Sequence, residues 1–242
     1  MTATATLSRP ARPQATAPRV DLYAAIHKAL RLFLSDTLLR VGRLDADDDV
    51  DCAATLDQLD ALLEACRTHV DKEERYVHAA IEARRPGASA RIAGEHEEHL
   101  QSIASLQAQA AAVRALPGAA AAARLYRQLA GFVAENLAHM EVEESQHNAA
   151  LWAAYDDAEL HAIHQRILAS IEPAEMALIL RWMVPALSPQ ERAGMLGQMQ
   201  RDMPPEAMRA VLETVRPHLD HRAWAKLAQA LNLPAAAPAA AA

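Results

Sequence analysis

Apolar residues recur along the first 150 positions at steps of three and four, the spacing that stacks side chains on one face of a helix. The spacing predicts a first helix over 21–44, with Tyr23, Leu30, Leu34 and Val41 on its inward seam. A second is predicted over 52–83 and carries Leu62, Cys66, Tyr76 and Ala80. A third spans 89–116 with Ile92, Ile103 and Leu106, and a fourth spans 120–152 with Leu129, Phe132, Asn136 and Gln146. Pro86-Gly87 and Pro117-Gly118 punctuate the connections. The acidic run Asp45–Asp51 lacks the glycine and the glutamate that a calcium loop needs at its sixth and twelfth places, where Val50 and Leu56 stand. It is read as a solvated turn. Four long helices with short joints predict an all-α fold, an up-down four-helix bundle over 21–152.

The pattern changes at Tyr155. Short amphipathic stretches follow, broken by Pro173, Pro185, Pro189, Pro204, Pro205 and Pro217. Met176, Ile179, Leu180 and Met183 keep helical spacing, as do Met208, Val211, Leu212 and Val215. They predict four or five short helices over 153–233, with the methionines as core. Ser188 and Glu191 have the spacing of a capping box. Residues 1–20 contain no acid and no apolar signal-peptide core, and 234–242 are Ala and Pro alone. Both ends are expected to be disordered.

Composition narrows the function. The net charge is −7 with no basic run, which argues against sequence-independent nucleic-acid binding. No apolar run approaches the roughly 18 residues of a membrane span. Only seven glycines occur, which disfavours sheets with their tight turns. Cys52 and Cys66 are the only cysteines, too few for a disulfide scaffold, so a cytoplasmic setting is expected. Cys66 reads as a small buried apolar residue.

The chemistry lies on the helix seams. His-x-x-x-Glu-Glu occurs twice, as His69 to Glu73-Glu74 and as His139 to Glu143-Glu144. Residues four apart on a helix lie one above the other, so each copy aims an imidazole and a carboxylate at one point. His27 shares the seam of the first helix, and His96 and His99 that of the third. A lone inward histidine is most often a satisfied core residue. The joint pattern would bury several imidazoles and two carboxylates, which is costly unless they hold a metal. The imidazoles are too many for structural zinc, and calcium would want oxygen throughout. Imidazole with carboxylate suits iron. Ferritin-like di-iron bundles use Glu-x-x-His twice, and only Glu144-Ser-Gln-His147 has that spacing here. Tyr23, one turn from His27, either donates into the pocket or simply packs. Glu74 and Glu144 are expected to be solvated or to support ligands. His78, His147, His161, His164, His218 and His221 are read as surface residues.

At His27, His69 with Glu73, Glu95-His96, and His139 with Glu143 the chain resembles the hemerythrin family in its bacterial His-His-Glu form. The resemblance covers about residues 21–152. It implies two iron ions in an oxo- or hydroxo-bridged centre, with Glu73 and Glu143 as bridges and histidines as terminal ligands. An open position would take O2, peroxide or nitric oxide. Oxygen-carrying hemerythrins end in His-x-x-x-x-Asp and have His-x-x-x-His on the third helix. Here His139-x-x-x-Glu143 and His96-x-x-His99 stand instead. His96 is favoured as the obligatory ligand, and His99 as a further ligand or as a gate over the open position.

The departures favour oxygen or redox sensing or iron homeostasis over reversible carriage. The rivals are a di-iron enzyme with catalase-like or nitric-oxide-consuming activity, and an iron donor for iron–sulfur cluster repair. The segment Arg181–Arg192 is similar to the helical extension that follows the bundle in some members. That extension is expected to meet a second copy of the chain or another protein.

Overall fold

The computed structural model describes residues 19–233, and among them no strand occurs. The expectations for residues 1–18 and 234–242 lie outside that range. Helix α1 (Ala24–Gly42) begins where the Asp21 carboxylate accepts from the backbone N–H groups of Tyr23 and Ala24, at 2.8 and 3.0 Å. Helix α2 (Asp49–Lys72) begins three residues before the predicted start. Asp48 caps it by accepting from Val50 N–H and Asp51 N–H, at 2.9 and 3.1 Å. The acidic run is therefore a helix entry, where carboxylates meet unpaired N–H groups and the positive end of the helix dipole.

Helix α2 continues through a π-helical turn (Glu73–His78) into α3 (Ala79–Arg84). The wider turn, with i→i+5 bonds, takes up one extra residue. Helix α4 spans Ala90–Ala115. Helix α5 (Ala119–Val142) repeats the device, passing through a π turn (Glu143–His147) into α6 (Asn148–Ala154). These four long rods are the expected bundle.

Two apolar layers separate along the bundle. The larger holds Leu34, Leu59, Leu62, Leu106, Leu125 and Leu129, all with no exposure. The smaller holds Tyr23, Val77, Ile81 and Leu151, closed over by Leu160 and Ile163. The latter two come from α7 (Asp157–Ala169). Along α1 the order is Tyr23, His27, Leu30. Along the second rod it is Cys66, His69, Glu73, Val77. The polar seam residues thus lie between two dry layers. Each fully buried leucine in those layers stabilises the fold by about 1.5–3 kcal/mol.

The extension continues with α8 (Pro173–Ala186), α9 (Pro189–Asp202), α10 (Pro205–Val215) and α11 (His221–Ala230). Helix α8 lies against α1, where Trp182 stacks on Phe33 with ring centroids 4.0 Å apart. Lys72–Glu175 and Lys28–Glu191 pairs, each 2.6 Å, tie the extension to the bundle. Leu180, Val184, Leu196, Met208, Val215 and Leu227 form a third core, which Met176, Met195 and Met199 flank. Ser188 and Glu191 make the reciprocal capping box at the start of α9. No helix among the described residues is long and apolar enough to cross a membrane.

Candidate metal centre

The two His-x-x-x-Glu pairs meet in the polar layer between the two dry ones. His27, His69, Glu73 and Glu143 each offer one atom to a group in which all four lie within 4.8 Å of one another. Glu73, His96, His139 and Glu143 form a second such group. Glu73 and Glu143 belong to both. Each group draws on three of the four rods.

Nothing among the described residues satisfies the centre of this arrangement. Both carboxylate oxygens of Glu73 and of Glu143 are buried without a hydrogen-bond partner, as are Nε2 of His27 and Nε2 of His69. His69 Nε2 lies 3.0 Å from Glu73 Oε1, but not in line for a hydrogen bond. Nε2 of His96 and Nε2 of His139 face each other at 3.1 Å. Four buried orphan carboxylate oxygens and a ring of convergent imidazole nitrogens fit a cation and little else.

The outer nitrogens explain the aim. His27 Nδ1 donates to Glu144 Oε1 at 3.0 Å, His96 Nδ1 to Glu74 Oε1 at 2.7 Å, and His139 Nδ1 to Glu95 Oε2 at 3.0 Å. A carboxylate can only accept, so each Nδ1 carries the proton and each Nε2 turns to the centre. Carboxylates behind metal-bound histidines fix ring orientation in this way. Arg31 in turn holds Glu144 through two bonds of 2.5 and 3.1 Å. Glu74 and Glu144, the second glutamates of the two repeats, thus support histidines from behind.

Without a cation the charges compensate through protons. Burial opposes a charged His27, but the Glu144, Glu73 and Glu143 carboxylates outweigh it and lift its pKa to about 9. Burial likewise opposes a charged His96, and Glu143, Glu73 and Glu74 lift it to about 10. Burial works against ionised Glu73 and Glu143, yet the surrounding histidines hold both below the usual carboxylate range.

The remaining candidate, His99, joins neither group. Its ring is buried against His139 and Phe132, with centroids 4.6 and 5.9 Å away. Burial and the His139 and His96 rings push its pKa down to about 4.

His78 and His147, read from sequence as surface residues, are buried, with 3% and 1% exposure. The π turns cause the difference. Each widened turn moves the inward face on, so Gln146 turns outward and Tyr76 is only half-buried against the smaller core, while His78 and His147 turn in. The spacing Glu144-x-x-His147 was the visible signal, and no comparable one marked His78. His147 Nδ1 lies 3.0 Å from the Tyr23 hydroxyl, and its ring meets that of His78 edge-on at 5.0 Å. Tyr23 is therefore a hydrogen-bonding residue of the pocket. The other four histidines read as surface residues are exposed or half-buried.

The family model described as Hemerythrin HHE cation binding domain matches residues 19–151. No curated protein and no solved structure matches the chain.

Proposed function

Because the chain belongs to the hemerythrin HHE cation-binding family, we propose that its two convergent groups hold a pair of iron ions. Glu73 and Glu143, which belong to both groups, would serve both ions, with His27 and His69 holding one and His96 and His139 the other. The observation that carries this reading is the sharing of two buried, unpartnered carboxylates between two histidine pairs. Imidazole with carboxylate is a donor set that iron accepts.

The chemistry such a pair supplies when bound is electron transfer to or from O2, peroxide or nitric oxide, for oxygen or redox sensing or iron homeostasis. The protein's own residues prepare for it. Glu144, Glu74 and Glu95 orient the histidines. The dry layers on either side keep bulk water from the carboxylates. Burial, with Glu73 and Glu143 nearby, keeps the Tyr23 hydroxyl protonated by raising its pKa well above the ordinary value. His99 flanks His139 as a neutral side chain and fits the role of a gate.

Elemental analysis after anaerobic iron loading tests the proposal. The expected result is about two irons per chain once excess metal has been removed, with an optical spectrum that changes on exposure to air. One zinc per chain with no iron uptake would refute it. Sustained peroxide or nitric oxide consumption by the loaded protein would move the assignment from sensing to catalysis.

A further inference from the structure

His78, Glu143 and His147 form a third group of convergent donors, again with their atoms within 4.8 Å of one another and all three buried. We propose that this group is a third cation site, built for a divalent transition ion and separate from the paired groups except for Glu143. The inference rests on the paired-iron reading only through that shared carboxylate.

Three observations support it. First, His78 is 97% buried in effect, being 3% exposed, and neither of its ring nitrogens has a hydrogen-bond partner. A neutral imidazole carries one N–H and one lone pair, and leaving both unpaired in a core is costly. Glu74 Oε1 lies 3.1 Å from Nδ1, a short shift from a proper bond, which leaves Nε2 over for something else. Secondly, Tyr23 engages His147 at Nδ1, so its Nε2 is the nitrogen left for a cation. The Tyr23 hydroxyl oxygen can accept from Nδ1–H, and in that arrangement Nε2 is bare, as the outer carboxylates leave Nε2 of His27, His96 and His139. Thirdly, Glu143 has both oxygens unpartnered, and a carboxylate offers about four lone-pair directions, enough to serve a further ion.

Two imidazoles and one carboxylate suit zinc, cobalt or ferrous iron, and leave room for water. Repulsion from ions in the paired groups makes the third ion the last to enter and the first to leave. The group is thus a loading position beside the pair. The remaining candidate cluster, Glu74, His78 and His96, contains a half-exposed carboxylate already bonded to His96 Nδ1 and lying 3.1 Å from His78 Nδ1, so it supports the two rings from behind.

Crystals of the full chain soaked in cobalt or zinc, with anomalous difference maps, test the site without altering any residue. The expected result is a third peak between His78, Glu143 and His147 at high metal, which fades first on back-soaking. In solution, wild type should saturate at about three ions per chain and His147→Leu at about two. Two peaks in the paired groups, with only a water between His78 and His147, would overturn the third site and leave the paired reading intact. A variant that drops to one ion from a wild type holding two would also overturn it, since His147 would then be a ligand of the pair. A peak at the third position alone would sink the paired reading and sustain this one.

Discussion

His69→Ala and His139→Ala each remove one convergent nitrogen and leave Glu73 or Glu143 buried beside an incomplete shell. Each should lose metal and also melt earlier, because a cation that binds only the folded chain contributes to its stability. His161→Ala, on an exposed helix face, should do neither. Equal metal content in the three variants, measured by mass spectrometry of the eluted ions, would sink the assignment. His99→Ala should keep its metal, since His99 stands outside both groups, and the reduced centre should then oxidise faster in air. His96→Ala should lose metal. The reverse pattern would show the two roles exchanged.

Protonation adds a test at the same scale. His27 and His96 rise from 6.5 to about 9 and about 10 in the folded, cation-free chain. Both hold a proton at pH 7, and ligation needs a bare Nε2. Metal uptake near neutrality should therefore release about two protons from this pair, with His139, shifted in the same direction, adding to the total, measurable by calorimetry in buffers of different ionisation heat. The stability sign runs the same way. These raised histidines stabilise the cation-free fold fully below pH 6.5 and lose that contribution as pH climbs through about 9 to 10. Glu73 and Glu143 are lowered, so theirs is present above 4.5 and lost on acidification. Cation-free protein should weaken in urea between pH 8 and pH 10, roughly the window these shifts set, while loaded protein should not. Parallel pH profiles for the two forms would contradict this.

At the scale of the element, the long rods were legible because their apolar residues repeat at steps of three and four over many turns. The seam positions of His27, His69, Glu73, His96, His139 and Glu143 followed from the same arithmetic. The π turns were not legible. A one-residue widening has no spacing of its own, so beyond Glu73 and Glu143 the 3.6 rhythm still found Ala80 but assigned His78 and His147 to the surface and Gln146 to the core. The acidic entry to α2 was missed for a different reason. Several aspartates in a row look like a loop until one of them is seen capping free N–H groups. The α1–α8 contact involves residues 149 positions apart, Phe33 and Trp182, which no local pattern reports. Trp182→Ala should cost about 3 kcal/mol in urea unfolding and leave metal content unchanged. Loss of metal in that variant would mean that the extension shapes the centre.

Across the whole molecule, the third core shares no residue with the convergent groups. Metal at about 100 times its dissociation constant stabilises the fold by about 2.7 kcal/mol. That gain should concentrate in the rods that supply donors. Hydrogen exchange should slow most in α2 and α5 on loading, and least in α9 to α11. Uniform slowing over both regions would show that bundle and extension unfold as one unit.

The carboxylates behind the histidines are not shared evenly. His96 and His139 are backed by Glu74 and Glu95, while His27 is backed by Glu144, whose charge Arg31 offsets, and His69 has no such bond among the described residues. A carboxylate accepting from Nδ1 makes the ring a stronger electron donor through Nε2. With iron bound as proposed, the two halves of the centre are electronically unequal. The ion beside His96 and His139 should be the easier to oxidise, so a half-oxidised centre should trap its ferric charge on that side. Mössbauer spectra of the half-oxidised form should resolve two distinct iron environments, and Glu74→Gln with Glu95→Gln should bring them closer together. Spectra unmoved by both changes would mean that the asymmetry of hydrogen bonding does not reach the metal.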